Sequence, residues 1–139
     1  MSSNWKRCPK GELTGRWASH YVTMNPQGFI VMSRKTHQSI KCAEVVHLYF
    51  DRINDRIGVR PADPRGRDVF RVAKQGRHGG RLIRAYRIMQ EFGVELTQSV
   101  RFQDVEIDGD GILVLDLRTA KARTRKAPGG VHEKKNLVI

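Results

Sequence analysis

The chain repeats itself at an interval of 52 residues. When Gly28 is laid on Gly80, Ile30 falls on Leu82 and Ile40 on Phe92. Each half then reads in one order: strand, glycine turn, short extended segment, short helix, strand, hairpin turn, strand. The halves cover about residues 21–61 and 69–117, and the second carries extra residues ahead of its strand at Val100. Two such units predict one compact α+β, strand-rich domain over residues 21–117, with a small barrel-like or two-layer sheet core.

Local chemistry supports each element. Tyr21-Val22-Thr23-Met24 and Phe29-Ile30-Val31-Met32 flank the turn residues Asn25-Pro26-Gln27-Gly28, which is a hairpin signal. Ser33 can accept an orphan N–H of a short helix running to Ile40. Val45 to Phe50 and Arg56 to Arg60 form a second hairpin that turns at Asp51 to Asp55, and Pro61 to Asp68 reads as a connection. In the second half Val69 to Ala73 is a strand and Gln75 to Gly80 a flexible turn. Ala85, Ile88, Met89 and Phe92 then form one helical stripe that Gly93 stops. Periodicity leaves Leu82 and Ile83 open between beginning that helix and finishing a strand. Val100 to Ile107 and Ile112 to Leu117 flank Asp108-Gly109-Asp110-Gly111, whose residues tolerate positive φ.

Outside this domain the pattern changes. Residues 1–20 read as an extended N-terminal arm whose Trp5 and Trp17 favour packing on the body over stacking on bases. Residues 118–139 lose the apolar pattern and form a basic tail carrying Arg118, Lys121, Arg123, Arg125 and Lys126. Such tails commonly supply non-specific phosphate contacts.

The 139 residues are 39% hydrophobic and 29% charged, which predicts a folded core. The formal net charge of +12 is too large for solvation alone, because like charges repel in a compact state and an anionic partner relieves the repulsion. Nucleic acid is the commonest such partner, with duplex DNA first, through release of condensed counterions. Membrane headgroups rank second, but neither a basic amphipathic helix nor a lipidation signal is present. The start leads into no apolar run of signal-peptide length, and no stretch approaches the roughly 20 apolar residues of a span. A cytoplasmic protein, nucleoid-associated if bacterial, is the expectation.

Gly80-Arg81-Leu82-Ile83-Arg84-Ala85-Tyr86-Arg87-Ile88-Met89-Gln90-Glu91-Phe92-Gly93, followed by Val100, resembles the unit of the SpoVT/AbrB family. That unit has a Gly-Arg start, an alternating strand, a helix ending in a hydrophobic residue and Gly, then a strand. Gly28 to Lys35, Ile40 and the segment Val46 to Pro61 resemble it more loosely. Ser33 and Ala85 stand where the family has Pro, and Phe29 where it has Arg. The resemblance covers about residues 21–117. It implies a swapped-hairpin barrel, either a dimer of single units or two units in tandem as in MraZ-like proteins. It also implies DNA-binding transcription regulation, with Arg81, Arg84 and Arg87 as contact residues. Independently of any family, Arg71, Lys74, Arg77, Arg81, Arg84 and Arg87 crowd three glycines. Arg forks suit phosphate oxygens and glycines permit close backbone approach. On a helix Arg81, Arg84 and Arg87 would share roughly one face.

Other chemistry is poorly represented. His20, His37, His47, His78 and His132 show no close ligand spacing, and Asp108 with Asp110 lacks the remaining ligands of a calcium loop. No metal, cofactor or catalytic residue is expected, since no G-x-S-x-G, P-loop or dinucleotide fingerprint occurs. Cys8 and Cys42 form neither a zinc pair nor a disulfide framework, and Cys42 reads as a small packed hydrophobe. A non-enzymatic DNA-binding regulator or architectural protein is therefore expected. An interaction module (adaptor or assembly factor) and an RNA-binding protein are the alternatives. The duplication allows a monomer, while exposed strand edges could pair two chains into a homodimer.

Overall fold

A computed structural model of the chain describes residues 20–122. Trp5, Trp17, Cys8, His132, Arg123, Arg125 and Lys126 lie outside the described residues. The described elements are β1 (Val22–Met24), β2 (Phe29–Met32), α1 (Arg34–Ser39), β3 (Val45–Asp51), β4 (Arg56–Pro61), β5 (Phe70–Gln75) and β6 (Gly80–Arg84). They continue with α2 (Tyr86–Phe92), β7 (Val100–Arg101), β8 (Glu106–Ile107), β9 (Leu113–Asp116) and β10 (Lys121–Ala122). The fold is α+β and strand-rich, as the repeat predicts. No helix among the described residues is long and apolar enough to cross a membrane.

The strands form one antiparallel ladder in the order β10-β7-β1-β2-β6-β5-β3-β4-β9-β8. Its ends come from one stretch of chain, because β7 and β8 lie eight places apart in the order yet are separated only by residues 102–105. Laid flat, eight places at about 4.8 Å would separate them by about 38 Å. Five residues span at most about 17 Å. The sheet therefore curls round into a barrel-like core.

The two halves share this sheet by exchange. β2 and β6 lie together at its centre, with Ile30 opposite Ile83 and Val31 opposite Leu82. The first hairpin, β1–β2, takes β7 from the second half, while β5–β6 takes β3 from the first. The interval of 52 residues holds through the helices, since Ser33 and Ala85 are the two N-caps. The caps differ chemically. Ser33 Oγ accepts the Thr36 N–H at 3.3 Å, whereas Ala85 offers no side-chain bond and its own N–H donates to Gly28 O at 2.8 Å. That close approach requires glycine at 28, where φ is +88° and an added Cβ would lie 2.7 Å from Tyr86 Cα.

Alternation along the strands decides what is buried. Met24, Ile30 and Ile83 occupy one cross-strand row, Ile57 with Leu115 and Val59 with Leu113 occupy others, and all are fully buried. Ile88 and Met89 of α2 join this core, and Phe92 stacks on Phe50 at 5.1 Å between ring centres. Leu82 and Ile83 complete strand β6. Gly93 ends α2 in the left-handed region, φ 68°.

Three expectations are corrected. Val100 to Ile107 is two short strands, because Phe102 turns inward to 3% exposure and Asp104 takes a positive φ between them. The sheet continues past Leu117, with β10 pairing on β7. Cys42 is exposed at φ 54°, because the chain turns sharply out of α1 with Lys41 also left-handed.

Candidate nucleic-acid interface

The charges are segregated along the chain. Residues 65–87 hold eight Arg or Lys and one acid, whereas residues 88–116 hold seven acids and one Arg. The cations centre on the β5–β6 hairpin, while Glu106, Asp108, Asp110 and Asp116 belong to β8–β9, several strands away in the ladder.

The six clustered cations do not share one face. Arg81 and Arg84 lie on strand β6 and not on a helix, so a spacing of three sends them to opposite sides of the sheet. Arg87 alone belongs to α2, where its Nε lies 3.2 Å from Glu91 Oε1. The expectation of a shared helical face for Arg81, Arg84 and Arg87 is thus overturned by where the strand ends. Arg84 is exposed and sits 5.9 Å above the Phe29 ring. Arg81 donates from one nitrogen to the carbonyls of Gly79 and Gly80, both at 2.9 Å, which holds it at the turn. Lys74 stands directly opposite Arg81 across the ladder, and Arg77 occupies the exposed turn between them. Arg71 opens β5, opposite Val45.

A second pair of like charges was not legible in the sequence. Lys121 of β10 lies directly opposite Arg101 of β7, and Arg101 lies 4.6 Å above the Tyr21 ring. Cross-strand neighbours of like charge are destabilising. Arg101 is the single cation within an acidic run, so only the pairing of distant strands reveals its neighbour. Arg34 is likewise brought in by the fold: its Cδ would lie 2.7 Å from a Cβ on Gly79, whose φ of +84° and missing side chain let α1 pack on the turn.

Among the described residues, the ion pairs are Arg56–Asp51, Arg65–Asp63, Arg87–Glu91 and Arg118–Asp55. Lys74, Arg77, Arg81, Arg84, Arg101 and Lys121 are absent from that set. Arg118 also donates to Ile53 O, so it braces the β3–β4 turn. That turn is rigid for a second reason. The Asn54 amide, the Arg56 guanidinium and the N–H groups of Asn54 and Ile53 hold the Asp51 carboxyl well below the ordinary carboxylate range.

A depression of about 260 Å³ lies beside the β5–β6 turn. Tyr21, Thr23, Val31, Arg34, Arg77 and His78 are among the residues that line it. Two histidines are engaged elsewhere, with His37 bonded to Ala43 O and His47 to Arg67 O, both at 2.8 Å. Asp108 Oδ1 accepts the N–H groups of Asp110 and Ile112 at 2.8 and 3.0 Å, as a turn residue does.

Compared with protein-family models, with curated proteins and with solved structures, the chain finds no match.

Proposed function

We propose that the protein binds nucleic acid, duplex DNA first, and grips it by the β5–β6 hairpin, with the β7–β10 pair beyond β1 and β2 as a second cationic point, without catalysing a reaction on it. The observation that supports this reading is the placing of two like-charge pairs, Lys74 opposite Arg81 and Arg101 opposite Lys121, one on each face of the sheet, with none of the four ion-paired to a carboxylate among the described residues. Such pairs cost stability in the free protein, and a phosphate between them offsets that cost.

A tandem swapped-hairpin barrel of the SpoVT/AbrB kind is the finer fold we propose. The exchange of β7 and β3 between the halves and the glycines at the two helix starts support it. In that reading the duplication makes one chain sufficient for a barrel, and transcription regulation or DNA architecture is the role.

Salt titration tests the function. Six cations without a carboxylate partner among the described residues could neutralise about six phosphates, giving a slope of about −5 in log K against log salt. Full-length protein should lose most of its duplex affinity between 50 and 200 mM salt. The triple substitution Arg77→Ala, Arg81→Ala and Arg84→Ala should flatten the slope by about 3. Salt-insensitive binding, or loss confined to an Arg123, Arg125, Lys126 triple alanine variant, would refute a structured interface.

A further inference from the structure

Strand β3 is paired along almost its whole length on one side and at one end only on the other. β4 matches it from Val46 to Asp51, whereas β5 meets it at Val45 and Val46 alone. Backbone groups on an antiparallel strand point to its two neighbours in alternation. The Val45 carbonyl accepts from Ala62 N–H beyond β4 at 3.1 Å, and the Glu44 carbonyl accepts from Val72 N–H of β5 at 2.9 Å. That alternation turns the N–H and C=O of Leu48 and Phe50 away from β4, toward the side that β5 has already left. Were β5 to run on in register, Asp68 would face Leu48. Asp68 instead takes a φ of 57°, and the Arg67 carbonyl accepts from His47 Nε2 at 2.8 Å. The four backbone groups of Leu48 and Phe50 thus have no hydrogen-bond partner among the described residues.

A groove of about 660 Å³ lies along this open edge, between Leu48 and Tyr49 of β3 and Ile88 and Phe92 of α2. Phe92 is fixed by its stack on Phe50. Tyr49 is 45% exposed and lies on the opposite face of β3 from Leu48 and Phe50. A strand bonded to Leu48 and Phe50 would therefore send every second side chain toward Ile88 and Phe92, and the others toward Tyr49. The first set must be apolar. Charge selects the second set: Arg52, which lies 5.3 Å above the Phe92 ring, with Arg67 and Arg87, stands against Asp68 and Glu91 and leaves one positive charge around the groove. The chain as a whole carries +12. A phosphate backbone does not answer this edge, because it offers acceptors and no donors to the Leu48 and Phe50 carbonyls.

We infer that the open edge of β3 takes up one extended strand of a protein partner, acidic and apolar at alternate positions, by β-strand addition. Backbone hydrogen bonds to Leu48 and Phe50 supply the adhesion, and the groove against α2 selects the side chains. An edge left unpaired and uncharged would accept any strand, so the groove and its cations are what restrict the choice. The inference goes beyond the nucleic-acid reading and does not depend on it, since the four backbone groups belong neither to the β5–β6 hairpin nor to the β7–β10 pair.

The test uses full-length protein and, as probe, a short fluorescein-labelled peptide that alternates valine with glutamate. Amide hydrogen exchange, read residue by residue by NMR, should find Leu48 and Phe50 fast in the free protein and slowed about tenfold or more by saturating peptide. Tyr49, whose N–H points to Gly58 of β4, should be slow in both states. Valine side chains enter the groove, so the valine amides are the ones that face β3. N-methylating them should weaken binding about tenfold, the effect of a hydrogen bond left unmade, while N-methylating the glutamate amides should change it by less than about twofold. Lysine in place of glutamate should weaken binding about threefold. No binding of the peptide, unchanged exchange at Leu48 and Phe50 when it is bound, or equal loss from the two methylated peptides overturns the inference. Slow exchange at both amides without peptide also overturns it, and assigns the edge to a second copy if the slowing depends on protein concentration. Slowing by duplex DNA in place of peptide overturns it as well. The nucleic-acid reading stands or falls separately, by the salt titration.

Discussion

Lys74→Gln should stabilise the free protein and weaken its hold on nucleic acid at once. Lys74 is exposed and faces Arg81 across β5 and β6, and Arg81 is tied by two bonds to the carbonyls of Gly79 and Gly80 and cannot swing away. Directly opposed side chains in an antiparallel pair have Cβ atoms about 5 Å apart, and such pairs shift stability by about 0.2–1 kcal/mol. For a domain of this size that corresponds to about 1–6 °C in Tm, upward on removal of one charge. Lys74→Glu should add to the gain, because the repulsion becomes attraction. The binding effect has the opposite sign. One phosphate contact fewer lowers the salt slope by about 0.9, so across a fourfold rise in salt the variant loses about 3.5-fold less affinity than the parent, from a weaker start. Thermal melting at low salt and a salt series by fluorescence anisotropy measure the two halves. A Tm that falls in Lys74→Gln, or an unchanged slope, would show that the pair is not held for an anion, and the functional argument would fall with it.

Other perturbations probe the scaffold. Gly28→Ala must place a Cβ 2.7 Å from Tyr86 Cα at a backbone φ of +88°, so both the strain and the backbone clash apply. A loss of about 2–4 kcal/mol in a denaturant melt is expected, against about 1 kcal/mol for Gly93→Ala, where φ is +68° but the space is open. Asp51→Asn removes a carboxylate whose pKa is held down by Asn54, then Arg56 and the turn N–H groups. A depressed folded-state pKa contributes stability that is present above the unfolded value near 4 and is lost as pH falls through the folded value. The variant should therefore melt below the parent at pH 7, and the gap should close as pH falls from 4 toward 2. A gap that widens on acidification would contradict the assignment.

Much of the fold could be read from residues that act locally. Ser33 caps α1 because a hydroxyl at that position reaches the N–H of Thr36, and this depends on four consecutive residues. Gly93 stops α2 because only its own φ is at issue. Leu82 and Ile83 were ambiguous for a physical reason: both are buried, one on each face of β6, so the alternation that marks a strand is absent. The break between β7 and β8 carries no local signal, because Phe102 reads as one more apolar residue in a run and its inward turn follows from the curl of the whole sheet. The strand at Lys121–Ala122 carries no apolar signal because both residues are exposed, and its partner on β7 defines it.

The candidate site shows the same division more sharply. Sequence proximity collected Arg71 to Arg87 correctly as a cation-rich segment, but proximity along a chain says nothing about side. On a strand, three residues reverse the face, so Arg81 and Arg84 part company, and Arg87 is neutralised one helical turn from Glu91. What replaces the lost cluster comes from elsewhere, as Arg34 arrives through α1 and Arg101 through a strand that crosses from the other half. The exchange of strands between halves is thus what brings Arg101 to the first hairpin. It brings Arg101 over the ring of Tyr21, a residue 80 positions away in the chain. A repeat folded on itself alone could not have placed them together, because β7 would then lie beside β5 and not beside β1.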